Sequence, residues 1–185
     1  MRGFSLFYGV VLLVGCAVHP PARWAEGGAP LVLTRATWER PHGVVVDLLP
    51  DGRVLVDGEH LWTLDRAGRV TDGGNNPVAL LEEGGGVWGP EYQRMGGVGP
   101  TSAAPPESGY AWLTLGPGGE VTRYSADGEP MAAGVWRGCE GPAQQTCMLV
   151  THLLTLKEGK PPGVSGVSVG VGIGVGIGVG VGIRR

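Results

Sequence analysis

From Leu31 onward the chain keeps returning to one pattern: a short β-branched run, a turn built on glycine, and a second short run. Val44-Val45-Val46 and Val54-Leu55-Val56 flank Pro50-Asp51-Gly52, where proline presets the first corner and glycine tolerates a positive φ. Leu61-Trp62-Thr63-Leu64 and Arg69-Val70-Thr71 flank Asp65 to Gly68 in the same way. The texture runs on to residues 147–156, where Thr151 and Thr155 fall at even spacing and a last strand is expected. No stretch of ten or more residues carries a helical period. The body, residues 31–160, is therefore expected to be all-β, a small antiparallel meander barrel or sandwich of roughly seven to ten short strands.

An internal echo sharpens this. Thr63-Leu64, Gly68, Val70 and Thr71 recur as Thr114-Leu115, Gly119, Val121 and Thr122 at a constant offset of 51. Asp72-Gly73, Pro77 and Gly86-Val87-Trp88 recur as Asp127-Gly128, Pro130 and Gly134-Val135-Trp136, with offsets of 55, 53 and 48. Trp38, Trp62, Trp88, Trp112 and Trp136 follow one another at 24, 26, 24 and 24. Two hairpin-bearing units of about fifty residues would produce this pattern. One segment, Leu49-Pro50-Asp51-Gly52-Arg53-Val54-Leu55-Val56, resembles kelch-like β-repeats, but a propeller needs at least about four blades, more than this chain can hold. Both phenylalanines, Phe4 and Phe7, precede the body, so tryptophan supplies most of its aromatic mass. Exposed indoles would stack on sugars; buried ones would form the core.

The two ends are separate objects. Arg2, the apolar run from Phe4 to Val14 and the box Leu13-Val14-Gly15-Cys16 resemble a bacterial lipoprotein signal peptide. That resemblance implies cleavage before Cys16, lipidation of its thiol and a membrane anchor. Ala17 stands where such families carry an aspartate for inner-membrane retention, which points to the outer membrane. The expected organisation is a signal peptide over 1–15, a lipidated Cys16 with a flexible tether to residue 30, the β-body, and a tail over 161–185. From Gly170 to Ile183 glycine alternates strictly with valine or isoleucine before Arg184-Arg185. Glycine at every second position opposes a helix, and period 2 suits an extended strand. The tail is read first as low-complexity chain, then as a self-pairing strand, and last as a membrane segment.

Chemistry is sparse. Seventeen acids against eleven bases between Cys16 and Lys160 offer nothing to nucleic acid, which selects clustered lysine and arginine. Cys139 and Cys147 are an even pair in an exported chain, expected to bridge the last two strands. There is no Gly-x-Ser-x-Gly elbow, phosphate loop or His-Glu-x-x-His, and no cofactor motif. His60 beside Asp57 and Glu59 could meet Asp47 or Asp51 and hold a metal, although exposed strand-end polars explain them more simply. His152, between Val150 and Leu154, reads as a half-buried, hydrogen-bonded histidine. Residues 89–109 read as a long loop, and Trp88, Glu91, Tyr92 and Arg94 on it form the candidate ligand site. The functional expectation is a non-catalytic, lipid-anchored envelope module that is structural or binds a protein or glycan. A hydrolase built on His42 or His60 is the remaining alternative.

Overall fold

The computed structural model describes residues 18–159. Its strands are β1 (Ala36–Glu39), β2 (Val45–Leu48), β3 (Arg53–Val56), β4 (Glu59–Leu64), β5 (Arg69–Asp72) and β6 (Pro77–Leu81). They continue as β7 (Gly86–Trp88), β8 (Arg94–Val98), β9 (Ser102–Ala104), β10 (Leu113–Leu115), β11 (Glu120–Tyr124) and β12 (Pro130–Arg137). Each pairs antiparallel with its neighbour in sequence, and β12 returns to β1 through Trp136 opposite Trp38, closing a twelve-stranded barrel. The expected all-β meander is this barrel.

Alternation decides which way the side chains face. Ala36 and Trp38 of β1, Val46 and Leu48 of β2, and Leu113 and Leu115 of β10 are buried. Between or beside them Thr37, Asp47, Arg53, Thr63, Arg69, Thr114 and Thr122 remain partly or fully accessible. Apolar residues inside and polar residues outside invert the pattern of a membrane-spanning barrel, so this one presents a water-facing wall. Among the described residues no helix is long and apolar enough to cross a membrane.

About eight strands is the size at which inward side chains alone fill a barrel, so twelve leave a lumen. The helix α1 (Gln144–Glu158) fills it. Every residue from Thr146 to Thr155 is buried, and the helix packs on β8, β9 and β10. This corrects the strand expected over 147–156. A helix enclosed on all sides needs no polar stripe, so no amphipathic period marks it in the sequence. Within the enclosed helix the Thr151 and Thr155 hydroxyls are satisfied by donating to the carbonyls four residues back, Cys147 at 2.8 Å and Thr151 at 2.7 Å.

The repeat is also smaller than expected. Gly52, Gly68, Gly85 and Gly119 stand at spacings of 16, 17 and 34, all with φ between +77° and +88°. Each closes a tight turn by donating its N–H to the carbonyl three residues earlier. Each then accepts from the hairpin that follows: Leu64, Leu81, Val98 and Trp136 donate to these glycine carbonyls at 2.7–2.9 Å. Thr101 accepts from Leu115 at 2.8 Å and occupies the missing place in the series. The unit is thus a hairpin of about seventeen residues, and the offset of 51 is three hairpins rather than one large unit. Residues 89–109 accordingly contain β8 and β9 and are not a single loop.

These glycine turns, with the N-terminal end of α1, form one end of the barrel, termed the base. Residues 28–32 cross it: Gly28 donates to Ala67, Ala29 to Leu81 and Leu31 to Arg66, while Thr146 Oγ1 donates to the Val32 carbonyl at 2.9 Å. Cys139 and Cys147 stand at disulfide distance there, Cα–Cα 6.3 Å, fastening the chain after β12 to the first turn of α1. The bridge therefore joins strand exit to helix, not two strands.

The opposite end, the rim, carries the β1–β2, β3–β4, β5–β6, β7–β8, β9–β10 and β11–β12 connections and the C-terminal end of α1. His19 exchanges hydrogen bonds with Glu91 there, its N–H donating to the carboxylate at 3.0 Å and its carbonyl accepting from the Glu91 N–H at 3.1 Å. From that point the chain runs along the barrel to the base, held by Arg69, which donates to the Trp24 carbonyl at 2.6 Å and the Ala25 carbonyl at 2.8 Å. The free tether expected to residue 30 is, from Val18, laid against the wall. Both described chain ends lie at the rim. Cys16 and residues 161–185 fall outside the described residues.

Candidate functional site

The rim differs from the base in its backbone before any side chain is considered. His42, Asp57, Asn75, Glu91, Tyr92 and Glu107 all hold positive φ, between +50° and +67°, and all lie in rim connections. A non-glycine residue in that region costs about 1–2 kcal/mol, and such outliers collect where a side chain has to be presented. At the base the same demand is met by glycine. We therefore take the rim as the candidate site.

A depression of about 840 Å³ lies there between residues 105–112 and 124–128. Tyr110 stands at its edge, 86% exposed, Tyr124 lines it, and the buried Trp112 forms part of its floor. Glu107 and Asp127 add carboxylates. A second groove, about 370 Å³, lies among Trp62, Arg94, Met95, Pro106, Leu156 and Lys157. A third, about 590 Å³, is lined by Asp57, Glu59, His60, Leu61, Leu154 and Lys157.

Beneath these grooves the packing is tight and specific. The Arg40 guanidinium forms a two-pronged pair with the Glu158 carboxylate and lies 4.7 Å from the Trp38 ring centre, fixing the last turn of α1 to the β1–β2 connection. Trp38 stacks on Trp136 with ring centres 5.7 Å apart, and Trp136 Nε1 donates to Thr151 Oγ1 at 2.9 Å. His152 is wholly enclosed rather than half-buried. Its Nε2 donates to the Met95 carbonyl at 2.8 Å, which leaves Nδ1 to accept from Trp112 Nε1 at 3.1 Å. Burial pulls its pKa down to about 4, opposed only by the Met95 carbonyl, so the ring is neutral at pH 7.

The four residues singled out in the sequence separate into two places. Trp88 and Arg94 face each other across β7 and β8 and share an outer groove with Glu82, Glu83 and Gln145. The Trp88 indole donates to the Glu82 carboxylate at 2.9 Å. Glu91 is occupied by His19, and Tyr92 projects from the rim, 65% exposed. Tyr110 and Tyr124 lie outside the 89–109 segment and join the rim only in the folded chain. The signal available for them was the turn-forming run Pro105-Pro106 to Ser108-Gly109, directly before the exposed tyrosine.

Four of the six indoles are buried. Trp38, Trp62, Trp112 and Trp136 are buried, and Trp24 and Trp88 are partly covered, so stacking on a sugar is not open to the buried four. His60 Nε2 is engaged by the Trp62 carbonyl at 2.9 Å and Thr63 Oγ1 at 3.0 Å, and Asp47 accepts from Thr37 at 2.7 Å. Among the described residues no three His, Cys, Asp or Glu side chains form a cluster fit for a metal.

The fold defines the class: a closed antiparallel barrel of six hairpins wound around one buried helix. No protein-family model, no curated protein and no solved structure matches the chain.

Proposed function

We propose that the protein is a lipid-anchored envelope module that acts through surface contact and performs no chemistry of its own. The observation that carries this is the contrast between a lumen filled by α1 and a rim that presents strained, non-glycine loops. A filled barrel holds nothing inside, so it serves as a rigid scaffold for what its loops touch. The signal-like start and Leu13-Val14-Gly15-Cys16 supply the anchor in this reading.

Metabolic labelling with palmitate, followed by membrane fractionation, tests it. Cys16→Ser should lose the label and leave the membrane fraction while the body stays folded. Unchanged label, or unchanged membrane retention, would refute the anchor.

A further inference from the structure

Among the described residues, the large apolar side chains left exposed are not scattered. Val18, Tyr92, Tyr110 and Met131 are 51%, 65%, 86% and 47% exposed, and all four lie at the rim; Val32 alone lies at the base. Tyr92 belongs to the β7–β8 connection, Tyr110 to the β9–β10 connection, and Met131 follows the β11–β12 connection. Val18 precedes the His19 that bonds Glu91. They occur on adjacent rim connections rather than around the wall.

Chain geometry supplies the occupant. Cys16 stands two positions before Val18, a reach of at most about 7 Å even when extended. A lipid on Cys16 would therefore hold the rim against the headgroups, with no slack for the barrel to turn its base to the membrane. Tyrosine is the side chain that sits well at such a boundary, with its ring in the apolar layer and its hydroxyl in water. The carboxylates Asp57, Glu59, Glu91, Glu107, Asp127, Glu129 and Glu158 outnumber the cations Arg40, Arg94, Arg123 and Lys157 around the same end. This excess of negative charge disfavours an anionic surface.

We infer that the rim is a membrane-docking surface, seated on zwitterionic headgroups through Tyr92 and Tyr110, with the base directed away from the bilayer. The inference rests on the lipid-anchor reading above, and it deepens that reading by naming what the rim touches.

Site-specific quenching tests it on the full chain. Tyr110→Cys and, at the base, Glu83→Cys are each labelled with a nitrobenzoxadiazole dye and reconstituted into phosphatidylethanolamine vesicles bearing headgroup-level spin-labelled lipid. Quenching at 110 should exceed that at 83 by about threefold or more, and should decline as phosphatidylglycerol replaces the zwitterionic lipid. Adding Tyr92→Ser to the Tyr110→Cys chain should reduce the quenching by about half, because both side chains are exposed and neither supports the core. Equal quenching at the two ends, or stronger quenching at 83, overturns the docking surface.

Mass spectrometry of the purified chain separates this from the anchor. A lipid on Cys16 with no quenching at 110 sinks the docking surface and leaves the anchor standing. If Cys16 carries no lipid, the anchor reading has failed, and the same dyes in a Cys16→Ser background judge docking on added vesicles. No quenching at 110 there overturns it as well.

Discussion

The base and the rim close the same barrel with opposite means. At the base, a side chain on Gly52 would lie 1.9 Å from the Leu64 carbonyl oxygen, and one on Gly119 would lie 2.0 Å from that of Trp136. The backbone there is not merely turning; it is pressed against the next hairpin and bonded to it. At the rim, Gly43, Gly58 and Gly128 also hold positive φ, yet a side chain on any of them would meet nothing within 4 Å. At these three glycines the rim backbone turns without pressing on a neighbour. One end therefore spends its sequence on assembling hairpins, and the other leaves its sequence free to present side chains.

The sharpest way to break this comparison is to add one methyl at each end. Gly119→Ala should destabilise by more than about 3 kcal/mol or prevent folding, because both φ and the Trp136 carbonyl oppose it. Gly128→Ala has the same φ problem without the obstruction and should cost about 1 kcal/mol. Thermal unfolding reads both. Equal losses would mean that backbone conformation alone, and not contact between hairpins, distinguishes the ends.

Acid should separate the ends next. The base is fastened by the Cys139–Cys147 bridge, whereas His152 fastens α1 to β8 and Trp112 nearer the rim. The folded pKa of His152, about 4, lies below its ordinary 6.5. The unfolded chain therefore binds the extra proton first, so the stability is complete above the higher value and falls between pH 6.5 and 4. The loss reaches about 3 kcal/mol at the bottom of that window. His152→Gln should start from a lower melting temperature but lose this part of the pH dependence. A wild-type curve parallel to that of the variant over the whole window would exclude the histidine as its source.

Smaller effects are expected on the rim itself. Glu107→Gly relieves a left-handed glutamate at the cost of backbone entropy, two effects of about 1 kcal/mol that oppose one another. Melting temperature should move by no more than a few degrees, most simply upward; a large fall would show that Glu107 supports the fold. Deleting 163–185 should leave the melting temperature of the barrel almost unchanged. A closed barrel has no open strand edge on which an alternating Gly/Val/Ile segment could be added. A fall of more than about 4 °C, roughly 1 kcal/mol for a body of this size, would mean that the tail packs on it.

How much of this was legible depends on what each segment is packed against. The hairpins were readable because Pro50-Asp51-Gly52 and Asp65 to Gly68 announce their turns, and a one-faced strand shows its period. The true repeat was hidden because Pro100-Thr101 replaces the turn glycine at one place, so the eye joins Gly68 to Gly119 and counts three hairpins as one unit. α1 carries no amphipathic period, because from Thr146 to Thr155 it is enclosed by the barrel; the signal for it is length alone, fifteen residues from Gln144 to Glu158 without glycine or proline. At the site, Tyr92 is legible in the sequence because it stands beside Glu91 and Arg94 and near Trp88. Tyr110 carries no such local signal, because its place at the rim arises only when the barrel closes.

Hydrogen exchange on the full chain, with and without phosphatidylethanolamine vesicles, tests the division of labour most directly. Without vesicles, the Leu64, Leu81, Val98, Leu115 and Trp136 amides that tie one hairpin to the turn before it should exchange only through global unfolding. The rim connections at 89–93, 105–111 and 125–129 should exchange far faster. With vesicles, protection should rise in those rim segments and around Val18, and stay unchanged at the base. Protection gained at the base turns, or fast exchange of the five linking amides, would contradict the account.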